Sequence, residues 1–338
     1  MRHAFIKTLA LAATMLAAGL TVANAADKGV ENPRSTAFHK ALEGKTVAFV
    51  PLSMGFDLTE GWAAKMRKQA ARLGYKFEIR DPAWSTDAGA KAIQSLITEK
   101  PDLMVIHNPD IQSYARLLKQ AQAAGIKVVQ INLESNTTTD SYVGADWTEI
   151  GEQAATAVVN KCDKGKGVST EIAIDTGVPT AASDVFQLYG IYKVLKRHPD
   201  IQVVSQQATE YNPEKARSIM ATVLQQHPKL CGAIGIWDNQ DTGTASAIKA
   251  AGKSDQVFLV TSGGGNKSAC DNVEKGLFNL YISYNVPLQG DLLNQEIARL
   301  LISKAAAGSD KAVYFNPLTQ ITKANVNQRN CWTLDDLK

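Results

Sequence analysis

Aromatic, amide and carboxylate side chains recur where apolar segments of this chain end. Phe56 and Asp57 close the run TVAFVPLSMGFD, Asn108 follows LMVIH, Asn132 and Glu134 follow VVQI, and Trp237 with Asp238 ends GAIGIWD. Ser183 and Asp184 lie in TAASD, Tyr211 in ATEYNP, Gly263 in SGGGN and Asn285 in SYNVP. Such residues combine ring faces with groups that both donate and accept hydrogen bonds. That chemistry holds a small polar molecule. A hydrogen bond to a charged group contributes about 1.5–3 kcal/mol against about 1 for a neutral pair, so a buried polar site recruits carboxylates.

Catalytic patterns do not accompany these clusters. The chain has no Ser-His-Asp order and no nucleophile elbow, and Asp57 with Glu60 does not make a catalytic pair. His39, His198 and His227 are scattered in loops, and His107 reads as a packed or hydrogen-bonded histidine. The glycine run at 262–266 lies between a strand and a helix and could cradle a phosphate. It lacks the Gly-Lys-Ser/Thr order of a phosphate-binding loop, so its amides, with Asn266, are expected to bond a ligand instead. No enzyme activity, cofactor or metal site is expected. Several candidates also have structural alternatives: Asp57, Thr180 and Asp184 suit helix starts, Asn108-Pro109 suits a turn, and Glu134 could face solvent.

The elements that position these residues alternate strictly. Ten short apolar strands lie between Thr46 and Ser283, separated by segments of helical periodicity at 87–99, 111–124, 148–162, 182–197, 213–226, 241–251 and 268–275, besides the first, in which Trp62, Met66 and Ala70 share one face and Gly74 marks the end. Strands alternating with helices of this length indicate βαβ units and parallel sheets. In open parallel sheets ligands bind outside the carboxyl ends of the strands, where the candidate residues fall. Five strands on each side of residue 146 predict an α/β fold of two similar Rossmann-like lobes. A helix at 288–304 and strands near Val313–Phe315 and Leu318–Thr322 come after the second lobe has used its strands. Residues 26–44 read as an extended lead-in.

The ends and composition bound the setting. Arg2 and Lys7, an apolar stretch from Leu9 to Val22 and Ala23-Asn24-Ala25 form a signal peptide cut after Ala25. The alternative is an N-terminal anchor, for which the stretch is too short and alanine-rich. A periplasmic location is expected. Without the leader, basic residues exceed the 33 acidic ones by one, a balance that gives no electrostatic case for nucleic acid or an anionic surface. Cys162, Cys231, Cys270 and Cys331 fit no zinc spacing. An even set in an exported chain suits disulfides. Three pairings exist. Cys162 ends a helix and Cys231 opens a strand at the pole away from the cleft, which favours Cys162–Cys231 with Cys270–Cys331 over free buried thiols.

Taken in order, the first strand with its helix ending in RLGY, HNPD, AGIKVVQIN, TAASD, AIKAAGKSDQVFLV and SYNVP resemble the type I periplasmic solute-binding proteins of sugar ABC transporters. That group contains the ribose-, galactose- and xylose-binding proteins, and the likeness spans residues 45–325. It implies three chain crossings acting as a hinge, near Ala145–Trp147, Asn285–Pro287 and Ala312–Asn316. The N-terminal lobe would then comprise 45–146 plus 286–312, and the C-terminal lobe 147–285 plus 313–338.

The resemblance further implies a monomeric receptor that closes on a monosaccharide or polyol and delivers it to a transporter permease. Alternatives are presentation of the ligand to a chemoreceptor or sensor kinase, and binding of a non-sugar molecule. A repressor shares the lobes, but the leader and the missing helix-turn-helix oppose it. By position, Phe56 and Asp57 supply an aromatic face and an acceptor, Tyr211 a second face, and Asn285 an amide contact. Departures are concentrated at charges. Asn132 stands where relatives carry aspartate, Leu133 and Ser183 where they carry arginine, Trp237 where an amide is usual, and Gly263 near another aspartate. Leu58 and Thr59 occupy the usual aromatic pair. Glu134 and Asp238 could restore charge nearby, so ribose itself is not expected.

Overall fold

The computed structural model describes residues 31–327 and 331–337; the expected signal peptide, 1–25, lies outside them. Helix α1 (Pro33–Leu42) stands where an extended lead-in was expected. Asn32 Oδ1 accepts from the amides of Arg34 at 3.1 Å and Ser35 at 3.4 Å. Pro33 occupies the first turn, where a missing N–H is tolerated. Asn-Pro is here a helix start.

From Thr46 onward the chain builds two six-stranded sheets. The first contains β1 (Thr46–Val50), β2 (Lys76–Ile79), β3 (Leu103–Ile106), β4 (Lys127–Ile131), β5 (Ser141–Gly144) and the late strand β11 (Ala312–Phe315). Its order is β11-β5-β4-β3-β1-β2, all parallel. Strands β3, β4 and β5 are buried at every position, as expected where helices cover both faces. The helices are α2 (Asp57–Leu73), α3 (Thr86–Glu99), α4 (Ala115–Ala123) and α10 (Val286–Ile302). Helix α4 begins four residues later than its periodicity predicts. The Asp110 carboxylate takes the amides of Gln112 and Ser113, both at 2.7 Å, and closes a turn there instead.

The second sheet contains β6 (Glu171–Thr176), β7 (Gln202–Ala208), β8 (Gly232–Gly235), β9 (Phe258–Gly263), β10 (Leu280–Ser283) and β12 (Thr319–Ile321). Its order, β12-β10-β9-β8-β6-β7, repeats that of the first sheet, with β12 antiparallel at the edge. The helices are α5 (Trp147–Cys162), α6 (Ala182–Leu195), α7 (Pro213–Gln226), α8 (Asp238–Ala250) and α9 (Lys267–Glu274). The two-lobed α/β architecture is therefore present. Helices α5 and α6 touch backbone to backbone, since a Cβ on Gly190 would lie 2.1 Å from the Thr148 carbonyl oxygen. That contact seats the start of α6, which carries Ser183 and Asp184.

The chain passes between the sheets three times: from Gly144 to α5, from Ser283 to α10, and from Phe315 to β12. Helix α10 packs on α2 and on the first sheet. Val313–Phe315 pair in register with Tyr142–Gly144 of β5. They belong with the first sheet, which corrects the boundary drawn at 312. Parallel pairing holds the chain there until Asn316.

Two disulfides, Cys162–Cys231 and Cys270–Cys331, join Cα atoms 5.7 and 6.1 Å apart. The first links the end of α5 to the entry of β8, at the pole opposite the strand C-termini. The second places Trp332, whose Nε1 donates to Gly264 O at 2.8 Å while its ring lies against Gly61 of α2. Replacing Cys162 and Cys231 together by alanine is expected to lower unfolding free energy by about 2–4 kcal/mol through the released loop. Urea denaturation of the oxidised protein measures the difference.

Candidate functional site

Loops at the C-terminal strand ends supply the walls of a cavity between the sheets. After β1, the chain turns at Gly55 (φ 89°) and presents Phe56 in extended conformation just before α2. After β2, Trp84 (φ 66°) stacks on Phe56 with ring centroids 5.1 Å apart. From the second sheet, Trp237 follows β8 and meets Phe56 edge-on at 5.9 Å. Tyr211, held at φ 59° beyond β7, meets Trp237 edge-on at 5.6 Å. Tyr284 follows β10 and meets Trp147 at 5.2 Å. The space left between them is small, about 40 Å³, lined also by Leu52, Leu58, His107, Asn132, Leu133, Ser183 and Ile236.

Amides fix the lobes beside this space. Asn316 donates its backbone N–H to Gly144 O at 3.0 Å and its side-chain amide to Tyr284 O, so the third crossing is bonded to the other two. Gln289 Nε2 donates to Asn316 Oδ1 at 3.1 Å and to Asn132 Oδ1 at 3.2 Å, and Gln289 Oε1 accepts from Trp62 Nε1 at 3.1 Å. The Asn132 carbonyl accepts from Tyr142 and Trp147, each at 2.8 Å, which holds its backbone at φ 61°. Across the cleft Ile111 N–H donates to Thr180 O at 3.0 Å, and Asn266 donates to Asp57. The lobes are closed on each other.

The charges near the cavity are carboxyls. Asp184 accepts from Gly177 N at 2.6 Å, Ser183 Oγ at 3.0 Å and Tyr211 Oη at 3.3 Å, yet burial still pushes it up to about 7. Asp57 and Asp238 line an adjoining space that also contacts Phe56, Asn266 and Trp332. Burial, then the charge of Asp57, pushes Asp238 up to about 8, although Tyr281 donates to it at 2.7 Å. Burial also raises Asp57. His107 is pushed down to about 3 by burial and is neutral. Its ring meets Trp62 edge-on at 5.2 Å, and neither nitrogen has a partner; nor does Trp237 Nε1.

Of the residues singled out in the sequence, Phe56, Asn132, Ser183, Tyr211 and Trp237 line the cavity. Asp57 and Asp238 line the adjoining space, and Asp184 sits behind Ser183 and Tyr211. Four lie elsewhere. Asn108 is buried against Gln130 and the Leu133 carbonyl, both at 2.9 Å. Asn285 caps α10 by accepting from Leu288 N at 3.0 Å. Gly263 leaves room for Asp238, whose Oδ2 would lie 2.1 Å from a Cβ there. Glu134 is half-buried, raised by desolvation and the charge of Asp146, and does not line the cavity. Sequence reasoning missed Trp84, His107, Trp147 and Tyr284 as lining residues. Tyr284 follows the end of β10 directly, so the strand-end rule applied to every aromatic would have found it; Trp84 lies in the loop beyond β2 and would not have been found that way.

A profile for the periplasmic binding protein domain matches residues 47–305. The chain belongs to that family. It is 25% identical over 240 residues to the ribose import binding protein of Bacillus subtilis, covering 71% of this chain and 76% of that one. It is 26% identical over 239 residues to the D-ribose/D-allose-binding protein of Pseudomonas aeruginosa, covering 68% and 73%. Among solved structures, an ABC transporter solute-binding protein from Agrobacterium vitis bound with α-D-tagatopyranose superposes with TM-score 0.75. Its identity is 20%, with coverage of 86% of this chain and 99% of that one.

Raised carboxyls make the folded protein bind protons that the unfolded chain, with aspartate near 3.9, releases. For Asp184 and Asp238 the stability contribution is therefore favourable at low pH and falls as pH rises from about 4 to about 8. Asp238→Asn is expected to flatten that decline, read as unfolding midpoint against pH. A wild-type slope retained in the variant would show that Asp238 titrates normally.

Proposed function

We propose that this protein is a periplasmic receptor that captures a small carbohydrate or polyol by lobe closure and delivers it to an ABC transporter permease. The observation that carries the reading is the aromatic-walled cavity between the strand ends of two sheets joined by three crossings. Flat rings match the C–H faces of a sugar or polyol. Asn132, Ser183 and Trp237 Nε1 add polar atoms from both lobes. Family membership supports the receptor role, and the sugar-import functions named for the relatives support the ligand class.

The mechanism follows from the geometry. In an open form Phe56, Trp84 and Asn132 stay with the first sheet, while Ser183, Tyr211 and Trp237 move away with the second. A bound solute favours closure by contacting both sets at once. Closure excludes water and brings Ile111 to Thr180 and Asp57 to Asn266, so the outer surface around the cleft mouth differs between states. A permease that recognises the closed surface takes up loaded receptor preferentially. The protein acts as a monomer, since each copy contains both walls of its cavity.

Thermal denaturation against monosaccharides, polyols, amino acids and nucleosides tests the class. Ligand at 100 times its dissociation constant is expected to add about 2.7 kcal/mol of stability. Trp237→Ala is expected to abolish the shift while the ligand-free protein still unfolds cooperatively. Stabilisation by an amino acid or nucleoside, with none from any carbohydrate or polyol, would defeat the proposed ligand class.

A further inference from the structure

The cavity wall carries no positive charge. Among the described residues, none of its lining side chains is basic, and the one titratable lining group other than tyrosine, His107, is held neutral. The charged groups close by are acids: Asp184 bonded to the lining residues Ser183 and Tyr211, and Asp57 and Asp238 in the adjoining space. Lys267, which also lines that adjoining space, is paired with Asp271 at 2.5 Å. Three carboxyls are thus largely withdrawn from water with hydroxyl and amide partners but no cation. Burial favours their protonated form, and a cation placed beside them would favour the ionised form and be held by it.

The rings add to this. Phe56, Trp84, Tyr211 and Trp237 present π-faces or edges around one volume, and a π-face attracts a cation, more strongly when water is excluded. A neutral sugar, by contrast, needs an acceptor for each hydroxyl proton. Much of the lining is instead aliphatic or aromatic carbon. Trp237 Nε1 and the His107 nitrogens are buried without partners; they leave one indole donor, one imidazole donor and one imidazole acceptor for a hydroxylated molecule.

We propose that the solute carries a positive charge, as an amino sugar or aminated polyol does, with its ammonium group among Phe56, Tyr211 and Trp237 and the carboxyls of Asp57, Asp184 and Asp238 around them. The inference rests on the cavity being the capture site for a hydroxylated solute. It accords with the uncharged Leu133 and Ser183 in the lining, where a basic side chain would repel such a ligand. It also accounts for a wall richer in rings than in hydrogen-bonding groups.

Isothermal titration of the purified protein with matched pairs tests it: glucosamine against glucose, N-methylglucamine against sorbitol, and choline as a cation with a single hydroxyl. At least one hydroxylated cation is expected to bind tenfold or more tighter than its neutral partner. Asp184→Asn is expected to weaken that binding at least tenfold and to weaken binding of the neutral partner by a smaller factor, since Asp184 also positions Ser183 and Tyr211. Asp57→Asn, at the rim and away from the α6 packing, provides a second reading should Asp184→Asn fold poorly. A neutral member that binds as tightly as its cationic partner overturns the charge inference and leaves the carbohydrate receptor standing. Choline binding with no response to any sugar or polyol probe, aminated or neutral, keeps the charge and removes the carbohydrate. Failure of all three cations to bind overturns the inference.

Discussion

The structure depends on a junction of side-chain amides where the chain crosses between its sheets. Asn316 bonds the first crossing through Gly144 and the second through Tyr284, and Gln289 ties Asn316 to Asn132 and to Trp62. Asn132, Gln289 and Asn316 are all buried. A buried amide left without partners is expensive, so the set is satisfied together or disrupted together. The consequence is a fixed pivot. The sheets share one axis, and Asn132 is held at the cavity wall by the same bonds that join the crossings.

Backbone strain is collected around that pivot. Trp84, Asn132 and Tyr211 all line the cavity with positive φ, and Asn285 begins the second crossing in the same region. For a residue with a Cβ this conformation costs about 1–2 kcal/mol, so each must be held by its surroundings. Tyr211 is held by its ring on Gly177 and by its hydroxyl on Ser183 and Asp184; Asn132 by Tyr142 and Trp147 on its carbonyl. The effect is to turn large side chains inward at strand ends, where an extended backbone would carry them past the cleft. Preorganised rings also lose little entropy on binding.

The second disulfide belongs to the same logic. It anchors Trp332 against the loop after β9 and against Gly61 of α2, so the C-terminal segment touches elements of both lobes. Closure of the cleft is therefore bordered on one side by Trp332 and Asn266–Asp57, and on the other by Ile111–Thr180. The carboxyls lie inside those borders, which is why burial rather than hydrogen bonding dominates their proton affinity.

Alternation of strands and helices, the two lobes and the strand-end position of the site were legible in the sequence because they follow from local periodicity and the handed geometry of βαβ units. So were Phe56, Asn132, Ser183, Tyr211 and Trp237, each next to a strand end or helix start. The sequence could not separate Asn285 as a cap from Asn285 as a ligand contact, nor Asn108 as a packing amide, because either role suits an asparagine at the end of a strand. It also could not reveal Trp84 as a cavity wall, since that requires a left-handed residue and a partner ring 28 positions away. What the sequence determined alone was the class of fold and the side from which a ligand enters. Which side chains meet there, and that carboxyls are buried beside them while no basic side chain among the described residues lines the cavity except the neutral His107, was decided by tertiary packing, because burial and charge proximity are set by residues distant in the chain.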